Sequence, residues 1–494
     1  MMSRPPFVNP LPAADRQATD RQTAALLKNF ILISLLVTFM ALLGILTRPI
    51  GLLAVFWPAN AVLLGLLIRQ PHRAHWSGWL AATLAFVATD VATGSDVKTS
   101  LVLTFGNLLS IATGFYLFRR LPIAHQTLRQ PMSIVWLAIY TGLASVAAGF
   151  NGMLANPLLF QGTMIGGWKF WFTAEWVNYL AILPVILTMP GWKFPTSPWR
   201  TLWRPRPAQW RIAMPFTAVL LGLLLSLVFS GPGAIAYLVP GLLWCALSYQ
   251  LFTTAVLTLL TSLWTLLGVA GGWLDLGIVI NRGRDLESLR LGVTLIALAP
   301  LTVASVMTAR LELLQKLQYL ASHDPLTGVL NRSGFMEQAE PLFGQLTGGK
   351  RSLALMMLDI DFFKKINDQH GHAAGDLVLK NFALIAGQCL RDADLLGRIG
   401  GEEFVVLVPD CDIEQARSIA QRICDASGAY NYQIANDIRL NVTVSIGVVH
   451  TSGAADSMSV LLNLADQQLY QAKAAGRNQI VLSSWPADNA HTLN

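Results

Sequence analysis

Ten apolar stretches of about 16–21 residues crowd the first three-fifths of the chain, and each is long enough to cross a bilayer. They fall near 30–46, 50–68, 76–92, 101–118, 132–149, 170–189, 212–230, 234–249, 251–271 and 289–308. A chain with this pattern is restricted to a helical membrane bundle over that region, because backbone polar groups inside lipid must bond within their own segment. The stretch 234–271 is nearly unbroken, so it reads either as two short spans or as one span plus a re-entrant piece. The sequence therefore allows 8–10 helices. The first stretch does not read as a signal peptide, since a long polar leader precedes it, no small-residue cleavage site follows, and nine more stretches come after.

Charge divides the chain at the same place. Residues 1–309 carry 20 Lys/Arg and 8 Asp/Glu, whereas residues 310–494 carry 15 and 20, which marks off a second, acidic domain of ordinary polarity. Only 13% of all residues are charged and 53% are apolar, which excludes a wholly soluble or a disordered protein. The pI near 9.3 comes from the apolar part, so it reads as loops facing an anionic membrane, and no nucleic-acid partner is expected. The cysteines Cys245, Cys389, Cys411 and Cys424 have neither C-x-x-C spacing nor a nearby histidine pair. They read as packed thiols in a reducing compartment.

Basic loops orient the spans. With the N-terminus in the cytoplasm, inside segments hold 14 Lys/Arg, from Arg4 to Arg211, and outside loops hold 6: Arg48, Lys98, Lys169, Arg282, Arg284 and Arg290. An even span count then leaves the C-terminal domain in the cytoplasm. Polar residues inside apolar stretches are costly. Asn60, Asp90, Asn107, Glu175 and Asn178 read either as a ligand-sensing cavity or as helix–helix hydrogen bonds. Beyond the last stretch, Leu313, Leu317 and Leu320 recur at spacings of 4 and 3, an a/d seam widened by Leu314. The segment reads as a helix that pairs with a second copy, or as one amphipathic helix lying on its own domain.

In the second domain the periodicity predicts strands at 352–360, 395–399, 404–408, 440–449 and 478–482, with helices at 373–389, 412–427 and 458–475. A tight hairpin mixed with helical crossovers predicts a mixed sheet with helices on it, a ferredoxin-like α/β arrangement. Gly344-x-x-x-x-Gly349-Lys350 imitates a phosphate loop, but Arg351 stands where Ser or Thr is needed and a strand follows where a helix must, so it reads as a surface turn.

Two acidic motifs carry the chemistry. One is Asp359-Ile-Asp361-Phe-Phe-Lys364-Lys365-Ile-Asn367-Asp368, at a strand end. The other is Glu402-Glu403, after Gly400-Gly401. Consecutive glycines supply the positive φ of a primed hairpin turn, which brings Glu402 to the sheet tip beside Asp359. Carboxylates sharing a cation with water and substrate phosphates is how Mg²⁺ prefers to be bound. Lys364, one turn away, suits a polyphosphate.

Gly400-Gly401-Glu402-Glu403-Phe404 resembles the G-G-[DE]-E-F signature of the diguanylate cyclases. The resemblance extends over about 160 residues. It takes in Asp324-Pro-Leu-Thr-Gly-Val-Leu-Asn331-Arg332, Gly371-His372, Gly375-Asp376, Val444-Ser-Ile-Gly447, Ala465-Asp466, Tyr470 and Lys473-x-x-Gly476-Arg477-Asn478. It implies a fold like nucleotidyl cyclases and polymerase palms. The implied reaction joins two GTP into cyclic di-GMP with loss of two pyrophosphates. Carried over, Asp359, the carbonyl of Ile360 and Glu402 bind Mg²⁺, two ions per site, with Mn²⁺ as a substitute. Asn367 and Asp376 take the guanine, with His372 beside them in the substrate site, and Lys364, Lys473 and Arg477 take the phosphates. Glu403 is the general base or a further metal ligand. Arg391-x-x-Asp394, five residues before Gly400, matches the family's inhibitory product site, with Arg422 of a second domain as a helper. One domain holds one GTP, so a homodimer is implied.

Trp57-Pro58-Ala59-Asn60, with Glu175-Trp176 before Pro184, resembles the membrane-associated sensor (MASE-type) domains of bacterial signalling proteins. The expected organisation is a leader at 1–29, a membrane sensor at 30–309, a signalling helix at 310–323, a GGDEF domain at 324–483 and a tail at 484–494. The expected location is a bacterial cytoplasmic membrane, with the lipid bilayer and an unidentified sensed ligand as further partners. No Glu-Ala-Leu tripeptide of a phosphodiesterase domain is present.

Overall fold

The computed structural model describes residues 13–46, 56–191, 209–277, 284–348, 351–433, 439–452 and 457–485. The chain divides into two compact units, Met1–Glu312 and Leu313–Asn494.

The first unit is helical. Its helices are α1 (Ala13–Leu46), α2 (Pro58–Arg69), α3 (Trp76–Ala92), α4 (Val97–Phe118), α5 (Ile123–Gln126), α6 (Ser133–Leu159), α7 (Met164–Thr188), α8 (Gln209–Val228), α9 (Leu238–Ser248), α10 (Leu251–Ala270) and α11 (Arg284–Ser322), the last of which runs past the unit's boundary. Among the described residues, six helices are long and apolar enough to cross a membrane: Gln22–Leu46, Val97–Phe118, Ser133–Leu159, Met164–Thr188, Leu251–Ala270 and Glu287–Ser322. Pro58–Arg69, Ala213–Val228 and Pro232–Ser248 are apolar but shorter. The run 234–271 divides at Tyr249, where the backbone turns extended and α9 ends. Arg4, Arg48, Lys193, Arg200, Arg204, Arg206 and Arg282, all counted in orienting the spans, lie outside the described residues.

Small residues set the closest approach between these helices. A Cβ on Gly167 of α7 would lie 2.2 Å from the Gly152 carbonyl oxygen of α6, and one on Gly152 would lie 2.8 Å from that of Gly167. Backbone meets backbone there, as membrane helices do when packing rather than the hydrophobic effect joins them. Asp96 and Thr163 cap α4 and α7 by accepting the N–H groups of Thr99 and Gly166.

The second unit is a six-stranded mixed sheet with helices on both faces. Its strands are β1 (Leu330–Asn331), β2 (Leu353–Ile360), β3 (Leu395–Gly400), β4 (Glu403–Pro409), β7 (Val444–Thr451) and β8 (Ile480–Trp485), in the order β1-β3-β4-β2-β7-β8. The short β5 (Tyr432–Gln433) and β6 (Arg439–Leu440) pair separately. β2 is antiparallel to β4 and β7, while the β1–β3 and β7–β8 pairs are parallel. All eight residues of β2 are buried, which is why its sequence is a continuous apolar run without polar alternation.

The pleat sends alternate β2 side chains into two cores. Ala354, Met356, Leu358 and Ile360 meet Phe382 of α14 (His372–Gln388) and Ile419 of α15 (Ile413–Ala429). Leu353, Leu355 and Met357 meet Phe335 of α12 (Arg332–Gly348) and Leu461 of α16 (Met458–Ala474). Truncating Leu358 to alanine would cost about 2–5 kcal/mol.

Two helices of this unit have no counterpart in the sequence reading, α12 and α13 (Phe363–His370). α13 is one short, polar helix, with only Phe363 buried. Gly344 lies inside α12, so the surface turn expected there is corrected to helix at its start; Gly349 and Lys350 lie outside the described residues. The strand expected at 440–449 is interrupted, ending as β6 at Leu440 and resuming as β7 at Val444.

Candidate functional site

The acidic motifs meet because of sheet register. Asp359, near the end of β2, pairs with Glu403 at the start of β4, and the Ile360 N–H reaches the Glu402 carbonyl at 3.4 Å. The turn between β3 and β4 uses positive φ at Gly401 alone (50°), not at both glycines. The position that needs glycine's conformational freedom is therefore Gly401, the first residue between the two strands. Arg398 braces the turn. Its Nε and Nη2 donate to the Gly401 carbonyl at 2.9 and 2.7 Å, and its Nη1 donates to Asp324 Oδ1 at 2.9 Å. Burial alone would raise the Asp324 carboxyl; the Thr327 hydroxyl and N–H and the Arg398 guanidinium outweigh it and hold it below the usual carboxylate range.

The Asp359 side chain is only 8% exposed, and Lys473 Nζ of α16 lies 2.7 Å from its Oδ2. Burial pushes its carboxyl up, Lys473 opposes that shift, and the charges of Glu402 and Glu403 add to it. Asp359 thus has one cationic partner, Lys473, and feels the negative charge of two neighbouring glutamates. Among the described residues no three acidic, histidine or cysteine side chains form a closed cage. The donors are instead a few carboxylates plus the Ile360 carbonyl. That set fits a hard divalent cation that keeps water and phosphate ligands.

The expected guanine readers sit at one corner. Asn367 is on α13, and His372 and Asp376 are on the first turns of α14. Gly371 joins the two helices at φ 80°, its N–H bonding the Asn367 carbonyl at 2.8 Å. Asn367 Oδ1 is buried without a hydrogen-bond partner. A Cβ on Gly375 would lie 1.9 Å from that oxygen, so only glycine leaves it room. A buried acceptor without a partner calls for a ligand N–H.

Lys364 is exposed on the first turn of α13. Arg477 holds its guanidinium 4.7 Å from the Phe362 ring centroid. Phe362 itself has φ 55° and is 60% exposed, an uncommon combination for a bulky residue and a mark of a constrained site. Gly476, Arg477 and Asn478 also have positive φ, in succession. Asp361 fastens this loop, accepting the Asn478 N–H at 3.0 Å and the Thr443 and Ser445 hydroxyls at 2.7 Å each. Sequence reading passed over Asp361, Arg398 and Phe362 as site residues. The available signal for Asp361 was a second aspartate at the same strand end.

Arg391 and Asp394 form a tight turn at the head of β3. Asp394 Oδ2 accepts the Arg391 N–H at 2.8 Å, and the Asp394 N–H bonds the Arg391 carbonyl at 3.0 Å. No ion pair between their side chains is found among the described residues, so Arg391 stays exposed. Arg422 on α15 donates to the Cys389 carbonyl, two residues before Arg391. β3 has six residues, which sets this turn roughly 20 Å along the strand from the Glu402 turn. All four cysteines are free and buried, and burial pushes Cys411 and Cys424 up to about 11.

Residues 321–479 match the family model described as "Diguanylate cyclase, GGDEF domain". The chain is 30% identical over 472 residues to the probable diguanylate cyclase DgcF of Escherichia coli O157:H7, covering 93% of this chain and 95% of that protein. It is 39% identical over 215 residues to the response regulator PleD of Caulobacter vibrioides, covering 41% of this chain and 47% of that protein. The crystal structure of the coiled coil and GGDEF domain of DgcB from Caulobacter crescentus, in complex with c-di-GMP, is 26% identical. It covers 37% of this chain and 98% of that one, with a TM-score of 0.36.

Proposed function

This chain belongs to the GGDEF-domain diguanylate cyclases, and we propose that it is a membrane-embedded sensor enzyme, held in a bacterial cytoplasmic membrane with both its N-terminus and its cyclase domain in the cytoplasm. The reaction condenses two GTP into cyclic di-GMP and releases two pyrophosphates. One observation carries the site assignment: the buried Asp359 carboxylate, held by Lys473 at 2.7 Å, stands beside the Glu402–Glu403 turn.

Each residue's part follows from its chemistry. The orphaned Asn367 Oδ1 accepts a guanine N–H, and the carboxylate of Asp376, the residue after Gly375, accepts another. His372 lines the same corner. Lys364, Lys473 and Arg477 spread positive charge over the triphosphate, and Arg477 leaves the Phe362 ring to do so. Asp359, Glu402 and the Ile360 carbonyl are the groups that would hold Mg²⁺, which, when bound, neutralises charge on the reacting phosphates. Glu403 is read as the group that receives the 3′-hydroxyl proton as that oxygen attacks the α-phosphorus of the second GTP, or as a further metal ligand. Each domain supplies one GTP, so two chains face one another and proximity provides much of the rate.

The turn at Arg391 and Asp394 is read as a product-inhibition site, with Arg422 beside it. The first unit, with its six candidate spans, is read as the sensor that sits in the lipid bilayer. Glu402→Ala and Glu403→Ala, made separately in the full-length protein, should each abolish cyclic di-GMP formation from GTP and Mg²⁺ while leaving the fold intact, since Glu402 lies in the turn and Glu403 at the first position of β4, both half-buried and outside either core. Near-normal turnover by either variant sinks the assignment.

A further inference from the structure

One carboxyl is buried midway along a candidate span. Glu175 of α7 is 5% exposed and lies within Met164–Thr188. Asn60 of α2 donates from Nδ2 to Glu175 Oε1 at 2.7 Å and to Asn107 Oδ1 of α4 at 3.0 Å. One amide therefore ties three helices together. The same two residues each keep one buried oxygen without a partner, Glu175 Oε2 and Asn60 Oδ1. Both are acceptors while the carboxyl is ionised, so neither can satisfy the other.

No cationic side chain compensates this carboxyl among the described residues. The ionisable group of α2 is Arg69, which bonds the Ile186 carbonyl, three turns further along α7. α4 carries Lys98 and Tyr116, nine residues to either side of Asn107. α6 brings Tyr140 and α10 brings no titratable group, while α11, which packs on α7 at Val177, brings Glu287 and the buried Arg290, whose guanidinium lies 4.8 Å from the ring centroid of Phe170, five residues before Glu175. On α7 itself, Lys169 is six residues away, and the Tyr179 hydroxyl is bonded to Ser110 of α4. A bare carboxylate in an apolar bundle is costly unless paired.

A single proton removes both deficits. Carboxylic acids and amides are complementary: the amide N–H meets one acid oxygen, and the acid O–H meets the amide oxygen. The first of those bonds is already present. We propose that Glu175 and Asn60 form a proton-binding site, with the acid O–H on Oε2 donating to Asn60 Oδ1, and that loss of this proton is the signal the membrane unit receives. A metal ion is a poorer occupant. Hard cations take about six or more oxygen ligands, whereas Asn60 turns its N–H toward Glu175 Oε1. With the proton gone, Oε2 has no donor and a charge stands among α2, α4 and α7, so the tie between those helices loosens.

The site stands on its own geometry; its signalling role rests on the sensor reading above. The test uses the full-length protein in lipid nanodiscs, as wild type and as Glu175→Gln, whose amide can make both bonds at every pH. At neutral pH, infrared spectra of the wild type should show a protonated-carboxyl C=O band that shifts in heavy water and is missing from E175Q. Asn60→Ser should move that band without abolishing it, which keeps the test open if E175Q does not fold. As the band titrates away with rising pH, wild-type GTP turnover relative to E175Q should change by as much as about tenfold per pH unit, the limit for one proton. Absence of the band at every pH where the protein is folded, or its persistence in E175Q, overturns the site. Stabilisation by Na⁺ or K⁺ at fixed pH and ionic strength, lost in E175Q, assigns an alkali ion instead and overturns the proton. A turnover ratio that stays constant while the band titrates as expected overturns the signalling role and leaves the cyclase assignment untouched.

Discussion

Asp361 accepts the backbone N–H of Asn478 at 3.0 Å, fastening the end of β2 to the loop that follows α16. That loop holds three successive residues at positive φ, a conformation that persists only when its surroundings over-determine it. The Asp361 side chain bonds three donors, Thr443, Ser445 and Asn478, and none of these is among the residues read as metal or phosphate ligands, so we read it as a positioning residue.

Asp361→Asn keeps the shape but turns one acceptor into a donor. It should lower GTP turnover by about 10- to 100-fold, equivalent to about 1.4–2.7 kcal/mol, and raise the KM for GTP as Arg477 loses its setting. Asp361→Ala leaves three donors unpaired, each costing about 1–3 kcal/mol, and should also lower thermal stability. Steady-state kinetics beside a melting curve separate the two effects. A variant with lower stability but unchanged KM would confine Asp361 to a structural part.

Gly375→Ala places a methyl group where Asn367 Oδ1 now sits, 1.9 Å from its ideal position. Alanine within a helix ordinarily gains about 0.5–1 kcal/mol over glycine, so the fold should survive. Asn367 must move, and a lost neutral hydrogen bond is worth about 0.5–1.5 kcal/mol. The KM for GTP should rise up to about tenfold with little change in kcat. An unchanged KM would show that Asn367 does not read the base.

Arg391→Ala removes the exposed cation from the turn at the head of β3. A hydrogen bond to a charged group is worth about 1.5–3 kcal/mol, or roughly 10- to 100-fold in affinity. The concentration of cyclic di-GMP that halves turnover should rise by that factor. Superimposable inhibition curves for wild type and variant would remove this turn from regulation.

The segment after Lys316 offers a mechanical test of coupling. Leu313, Leu314, Leu317 and Leu320 are all at least half exposed in the single chain. One inserted residue rotates the chain beyond it by about 100°, and seven nearly restore the phase. A one-residue insertion after Lys316 should change cyclic di-GMP output strongly, and a seven-residue insertion much less, at matched membrane abundance. Output indifferent to insertion length would make the segment a tether.

What could be read from the sequence is what short-range chemistry decides. The apolar stretches announce membrane-length helices because lipid leaves the backbone no other partner. Gly400–Phe404 and Asp359–Lys364 announce their chemistry because turn glycines and strand-end acids act within a few residues of one another. α13 escaped because its single buried residue, Phe363, leaves no periodicity to detect. The remaining features depend on partners far apart along the chain. Asp361 meets Thr443, Ser445 and Asn478 across 82, 84 and 117 residues, Arg398 meets Asp324 across 74, and Asn60 meets Glu175 across 115. No local propensity encodes those pairs. Sheet register and helix packing select them, because a buried polar group is tolerated only where the fold brings it a partner, and which partner arrives is decided when the chain closes on itself.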